Sequence, residues 1–147
     1  MKPELFPEHI RPHIIPRPKG DLYYKCLGCG AGYPVEKLLY VCPACDAVLM
    51  LHNRNQEDLH KIEGTTWQQV FDYRRMLKIP ALKGIYRYHE FIGPVIPLAS
   101  IIYLGEGHTP VVAASDFLTE KVGLHFFFKN DGQNPSASFK DRGMASA

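Results

Sequence analysis

Asn134-Pro135-Ser136-Ala137-Ser138-Phe139-Lys140-Asp141-Arg142-Gly143 is the stretch on which the reading of this chain turns. It follows an aromatic run ending at Phe128 and a polar loop, Lys129 to Gln133, and it feeds a helix start. Ser138 and Asp141 have the Ser-x-x-acid spacing of a capping box, in which two side chains answer backbone N–H groups that the first helical turn leaves unpaired. That spacing predicts Ser138 at the N-cap and Lys140 two residues in. Helix dipoles make this end electropositive, so an exposed ammonium there is disfavoured by about 0.3–1 kcal/mol, and burial would lower its pKa further. A partly neutral lysine can attack a carbonyl, which makes Lys140 the candidate for covalent chemistry with an aldehyde. The plain alternative is a solvated lysine on a well-capped helix.

The same ten residues resemble the lysine motif of the threonine synthases, pyridoxal-phosphate enzymes of the tryptophan-synthase β (fold type II) group. Two further segments carry the resemblance. Leu104-Gly105-Glu106-Gly107-His108-Thr109-Pro110 is similar to the family's Gly-Glu-Gly-x-Thr-Pro segment, and Tyr86-Arg87-Tyr88-His89-Glu90 is similar to its Trp/Tyr-Arg-Tyr lead-in. Their order and spacing agree with the family across residues 86–143. The resemblance implies that Lys140 is both the catalytic and the cofactor-binding residue, carrying pyridoxal 5'-phosphate. Two departures stand out. Ser136-Ala137 replaces the commoner Thr-Gly, and alanine takes φ > 0 less freely than glycine. His108 stands where Asn or Asp is more usual, and no role is assigned to it from sequence.

Cys26-Leu27-Gly28-Cys29 and Cys42-Pro43-Ala44-Cys45 form two C-x-x-C knuckles that use every cysteine in the chain. A two-residue gap turns both sulfurs of a knuckle onto one ion, and two knuckles complete the tetrahedral Cys₄ shell that zinc favours. Cys26, Cys29, Cys42 and Cys45 are therefore the expected ligands of a structural Zn²⁺ in a zinc-ribbon-like β unit over 21–54, with Leu38–Val41 and Val48–Leu51 as its β-rich flanks. Iron is the other metal such a site suits. Disulfides are the alternative, but no secretory signal is visible, and a cytoplasmic, reducing location is the default. Four thiolates leave no open position for substrate, so the metal's work is structural. Between residues 21 and 54 Lys25, Lys37 and Arg54 balance Asp21, Glu36 and Asp46, so no phosphate-attracting stripe appears.

Composition fits an ordinary globular protein: 46% of the 147 residues are hydrophobic and 22% charged. A formal charge of +2 without a Lys/Arg run argues against nucleic acid and anionic membranes as partners. Pro3, Pro7, Pro12, Pro16 and Pro18 crowd residues 1–20, which predicts an extended arm; His9 and His13 within it are not preset for a metal. Residues 55–103 read as a linker and helical lead-in. There Thr66-x-x-Gln69 forms a second capping box, and Trp67, Val70, Phe71 and Leu77 share one face, with Trp67 as a packing anchor. A short helix is expected near Tyr86–Ile92. In 104–147, Val111–Ala114 reads as a strand, Ser115 caps a helix over Asp116–Val122 that Gly123 stops, and Leu124–Lys129 follows as a strand buried on both faces.

The fold class expected is α/β: the start of a fold type II domain, incomplete at the C-terminus, behind the zinc-ribbon-like unit. This predicts an N-terminal part of a longer enzyme, inactive alone, or a truncated gene product. For the whole enzyme the resemblance implies conversion of O-phospho-L-homoserine and water to L-threonine and phosphate, a small-molecule amino-acid phosphate ester as substrate, and room for a homo-oligomer. Other type II enzymes, such as serine/threonine dehydratases or cysteine and cysteate synthases, share the lysine. From another class, a non-catalytic zinc-ribbon interaction module fits the knuckles. A serine–lysine hydrolase is disfavoured, because Ser136 and Ser138 stand four and two residues before Lys140.

Overall fold

The computed structural model describes residues 3–146. The first two residues of the expected arm and residue 147 of the final segment lie outside it. Over residues 3–14 the arm does not run extended. Residues Pro3–Leu5 and Glu8–Ile10 form 3₁₀ turns and Arg11–Ile14 forms a short helix, α1. The prolines permit this by position: Pro7 precedes the second turn and Pro12 sits in the first turn of α1, where a missing N–H costs nothing. The apolar residues reward it, because Phe6, Ile10 and Ile14 recur every four residues and are buried together.

They bury against α3, Gly64–Arg74, in one cluster with Trp67, Val70, Leu77 and Leu82. Phe6 meets Tyr73 edge to face at 5.3 Å. Trp67 is an anchor as expected, stacked on Phe71 at 5.6 Å with its indole N–H donating to the Leu59 carbonyl at 3.2 Å. Thr66 does not cap this helix. The helix begins two residues earlier behind Glu63, which makes no side-chain cap bond, so Thr66 falls inside the first turn.

The knuckle unit is a three-stranded antiparallel sheet in the order β2-β1-β3, built from β1 Leu22–Cys26, β2 Gly32–Pro34 and β3 Leu49–Asn53. Leu38–Val41 is loop and not strand, with Tyr40 84% exposed. Both edges of β1 are already taken by β2 and β3, so the β propensity of that run finds no open edge on the central strand. A short helix, α2 Gln56–His60, interrupts the expected linker.

The lead-in holds a 3₁₀ turn, Ile85–Tyr88, followed by α4, His89–Ile92. Its keystone is Arg74, fully buried at the end of α3. The guanidinium donates to the carbonyls of Ile14 (3.1 Å), His13 (2.6 Å) and Arg87 (2.6 Å), and bidentately to Glu90 (2.8 and 2.5 Å). All five of its N–H groups are thereby satisfied, which is the condition for burying this side chain at all. One residue ties α1, α3, the 85–88 turn and α4 together.

The last segment contains β4 Val111–Ala113, α5 Asp116–Val122, β5 Phe127–Lys129 and α6 Lys140–Met144. Ser115 caps α5 through the Leu118 N–H, and Gly123 ends it at φ +75°, both as the sequence predicts. The strand after it differs. β5 is short, pairs antiparallel with β4, and is exposed on both faces, with Phe127 67% and Phe128 48% exposed. A two-stranded ribbon has nothing to cover its second face, and no other strand of residues 3–146 joins it. The α/β character is plain; the two-sided burial expected for this strand is not present.

Candidate functional site: a four-cysteine centre and a lysine loop

The two knuckles are built alike. The Cys26 N–H donates to the Ala31 carbonyl and the Cys42 N–H to that of Ala47, each at 2.9 Å; Gly30 N–H returns to Cys26 and Asp46 N–H to Cys42. Gly30 and Asp46, equivalent in the two loops, are both left-handed at φ +76° and +56°. Aspartate tolerates that region better than most side chains, so it serves where the first knuckle uses glycine. Gly28 has a different reason: a Cβ there would lie 2.8 Å from the Ala47 Cβ and 3.3 Å from the Cys45 sulfur, so one knuckle seats directly on the other.

This brings the sulfurs of Cys26, Cys29, Cys42 and Cys45 within 4.8 Å of one another, with Cys26–Cys45 at 3.5 Å and Cys29–Cys42 at 3.6 Å. None is in a disulfide. Four thiolates about 2.3 Å from a common tetrahedral centre are about 3.8 Å apart, so the donor set and its spacing fit zinc, and the sulfur chemistry suits iron also. Amide N–H groups of Gly28 (3.3 Å) and Cys29 (3.4 Å) point at the Cys26 sulfur. The Tyr33 hydroxyl lies 3.3 Å from the Cys42 sulfur. That contact, working against burial, holds the Cys42 thiol down at about 6. Reciprocally it pushes the Tyr33 phenol up to about 12.

The second site grows from three separated segments. Arg87 Nη2 lies 2.7 Å from His108 Nδ1. Burial first, and then the Arg87 charge, lower the His108 pKa, so the neutral ring accepts and the guanidinium donates. His108 thus has a place that sequence reading did not supply: it pins the 104–110 loop to the lead-in. The Gly107 N–H donates to Asn134 Oδ1 at 2.9 Å, and Asn134 in turn donates to the Asp131 carbonyl at 2.9 Å. Thr109 donates its hydroxyl to Asp131 Oδ1 at 2.6 Å, and Arg142 reaches both, at 2.8 and 2.9 Å. The Thr109 hydroxyl, then Arg142, lower the Asp131 pKa. Lys129 donates to the Thr109 carbonyl. Tyr86 donates to the Ala145 carbonyl at 3.1 Å, fastening the far end of α6.

Glu106 is buried beside Gly84, where a Cβ would stand 2.5 Å from the carboxylate. Residues 86–90, 104–110 and 130–143 therefore form one hydrogen-bonded base beneath the lysine helix. Asn134, Asp131, Thr109 and Arg142 all lie in the stretches the sequence singled out, but only the folded chain shows that they bond to each other.

Lys140 opens α6 and is exposed. The cap differs from the expected box. Phe139 occupies the N-cap, Ser138 Oγ accepts the Lys140 N–H at 3.2 Å, and Asp141 reaches back past Ser138 to accept the N–H and hydroxyl of Ser136. Those bonds lower the Asp141 pKa. Asp141 can do this because the loop doubles back at Ala137, left-handed at φ +56°. A groove of about 590 Å³ runs alongside, lined by Tyr86, Ile102, Leu104, Ser136, Asp141 and Met144, though not by Lys140.

Left-handed backbone costs an L-residue about 1–2 kcal/mol, and glycine loses back about 0.4–1 kcal/mol through its freer unfolded chain. Ala137→Gly is therefore expected to stabilise the chain by a few tenths to about 1 kcal/mol, read as a raised denaturation midpoint and slower amide exchange over 134–141. A lowered midpoint would mean the turn is not left-handed in solution.

Fold and sites together define a four-cysteine knuckle unit joined, through an arginine-centred lead-in, to a lysine-bearing α/β segment. The chain is similar to the threonine synthase of Methanocaldococcus jannaschii, 30% identical over 121 residues, which is 82% of this chain and 26% of that protein. It is 29% identical over 126 residues to the threonine synthase of Methanosarcina acetivorans, covering 83% of this chain and 26% of that one. A shorter match, 42% over 60 residues, links 41% of it to 16% of the threonine synthase of Halalkalibacterium halodurans. No family model and no solved structure matches. Over about four-fifths of its own length the chain is homologous to threonine synthases, and it spans about a quarter of the length of the two archaeal relatives. Among the described residues no helix is long and apolar enough to cross a membrane.

Proposed function

We propose that this chain supplies the cofactor-lysine segment and the metal-knuckle unit of a pyridoxal-phosphate-dependent threonine synthase, a lyase that converts O-phospho-L-homoserine and water to L-threonine and phosphate. The observation that carries the reading is the convergence of three motif segments on the base of one helix, with Lys140 at its first position. On this reading residues 104–147 begin the cofactor domain, 55–103 lead into it, and 21–54 form a zinc unit of structural purpose. A cytoplasmic location and a small-molecule partner go with it.

Pyridoxal phosphate, when bound, supplies an electron sink for charge that develops on substrate carbons. The chain's own part is local. Lys140 would hold the cofactor through its amine and afterwards move protons at substrate carbon atoms. A general acid–base contribution of this kind is worth about 10²–10⁴-fold in rate. Asp131, Arg142 and Thr109 fix the entry angle of α6, and Asn134 commits the Gly107 N–H to the loop. Ser136 and Asp141 close the turn before the lysine. Orientation set in advance is what converts a reactive amine into a directed one.

Reductive trapping tests the reading. The chain is incubated with pyridoxal phosphate, reduced with borohydride and peptide-mapped. Selective labelling of Lys140, lost in Lys140→Ala, is the expected result. Even labelling over the other exposed lysines, such as Lys121 and Lys129, would contradict it.

A further inference from the structure

We infer that Tyr33 is a positioning residue of the four-cysteine centre, its phenol O–H holding the Cys42 sulfur in the orientation and electronic state that binds metal. The inference deepens the metal-unit reading and rests on it. Tyr33 lies half-buried on β2, where it pairs opposite Tyr24 of β1, so it reaches Cys42 from the sheet and not from the second knuckle's own loop. Its oxygen is 3.3 Å from the sulfur of Cys42, which is completely buried.

The direction of this bond follows from chemistry. Metal-bound sulfur carries no proton, so of the two groups only the phenol can donate. A divalent ion on four thiolates leaves negative charge uncompensated, and each donor aimed at a sulfur lowers the cost of burying it. Cys26 receives the Gly28 and Cys29 amides, which the first knuckle supplies from its own backbone. Cys42, its buried counterpart, has the Ala44 and Cys45 amides of its own knuckle and, in addition, a side chain from β2. A hydroxyl donor withdraws density from the sulfur, which should make it a poorer target for oxidants and a weaker charge donor to the metal.

Tyr33→Phe removes the hydroxyl and keeps the ring. Wild type, Tyr33→Phe and, as a control, the exposed Tyr40→Phe are each reconstituted with Zn²⁺ or Co²⁺ alone. Zinc affinity is measured by competition with a chromogenic chelator, and the cobalt form by its sulfur-to-metal charge-transfer band. Affinity of Tyr33→Phe is expected to fall about 10-fold or more, with the cobalt band moved to lower energy, while Tyr40→Phe matches wild type. Equal affinity and an unmoved band would overturn the assignment. So would a fall in affinity without a band shift, because that is the mark of lost packing and not of a lost hydrogen bond. Wild-type chain showing no tetrathiolate cobalt spectrum would defeat the metal reading itself, a result distinct from either.

Discussion

Arg74→Ala is expected to cost about 3–5 kcal/mol of folding stability, the range for breaking a buried ion pair by removing one partner. The variant loses the pair with Glu90 and also orphans three carbonyls, at His13, Ile14 and Arg87, that have the guanidinium as a donor. Glu90 would remain as a carboxylate only 16% exposed in its side chain, with its bidentate partner gone. The core cluster offers no relief, since Phe6, Ile10 and Ile14 reach α3 only while α1 is held beside it. Glu90→Ala should cost a similar amount. Arg75→Ala, one residue on and half exposed, should stay within about 0.5 kcal/mol of wild type. Chemical denaturation of the three variants checks this, and a loss under 1 kcal/mol for Arg74→Ala would show that the arm docks by apolar contact alone.

Removing metal should have an effect as large but confined to one part of the chain. Within 21–54 the only fully buried side chains are Cys26 and Cys42. No residue of that unit joins the apolar cluster of the lead-in. A three-stranded sheet whose buried residues are two of the cysteines proposed as metal ligands has no apolar core to fall back on, and in metal-held units of this kind binding energy is folding energy. A chelator, or Cys42→Ser, is expected to abolish amide-exchange protection across Leu22–Asn53 while leaving Gly64–Leu82 protected. Exchange unchanged by chelation would mean that the sheet stands without an ion.

What sequence could show was local or was written into spacing. Ser115 and Gly123 bound α5 because the cap and the left-handed stop each act within a few residues. The knuckles were legible because C-x-x-C spacing encodes the loop that turns both sulfurs inward. The four-residue recurrence of Phe6, Ile10 and Ile14 was also present, but the density of prolines spoke more loudly than their positions did.

The rest depended on distant partners. Arg74 sits on the buried face of its helix with Trp67 and Val70, a charge where the pattern asks for leucine, and its acceptors are 13 to 61 residues away. Asp141 chose Ser136 over Ser138 because the loop reverses at Ala137, a position where the resembled family more commonly has glycine. The β4–β5 ribbon reads as buried strand because its residues are apolar, yet burial requires a second layer, which residues 3–146 do not provide.

The most direct test of the central claim, that three converging segments aim Lys140, combines trapping with a change at the base of α6. Asp131→Asn keeps the size of the side chain but removes the charge that joins Thr109 to Arg142. Wild-type and Asp131→Asn chains would be reduced in the presence of pyridoxal phosphate, and the label at Lys140 compared with that at Lys121, which lies on another helix. The account predicts a Lys140-to-Lys121 labelling ratio well above one in wild type that falls toward one in the variant, at equal metal content. A ratio unchanged by the substitution would show that the base does not position the lysine.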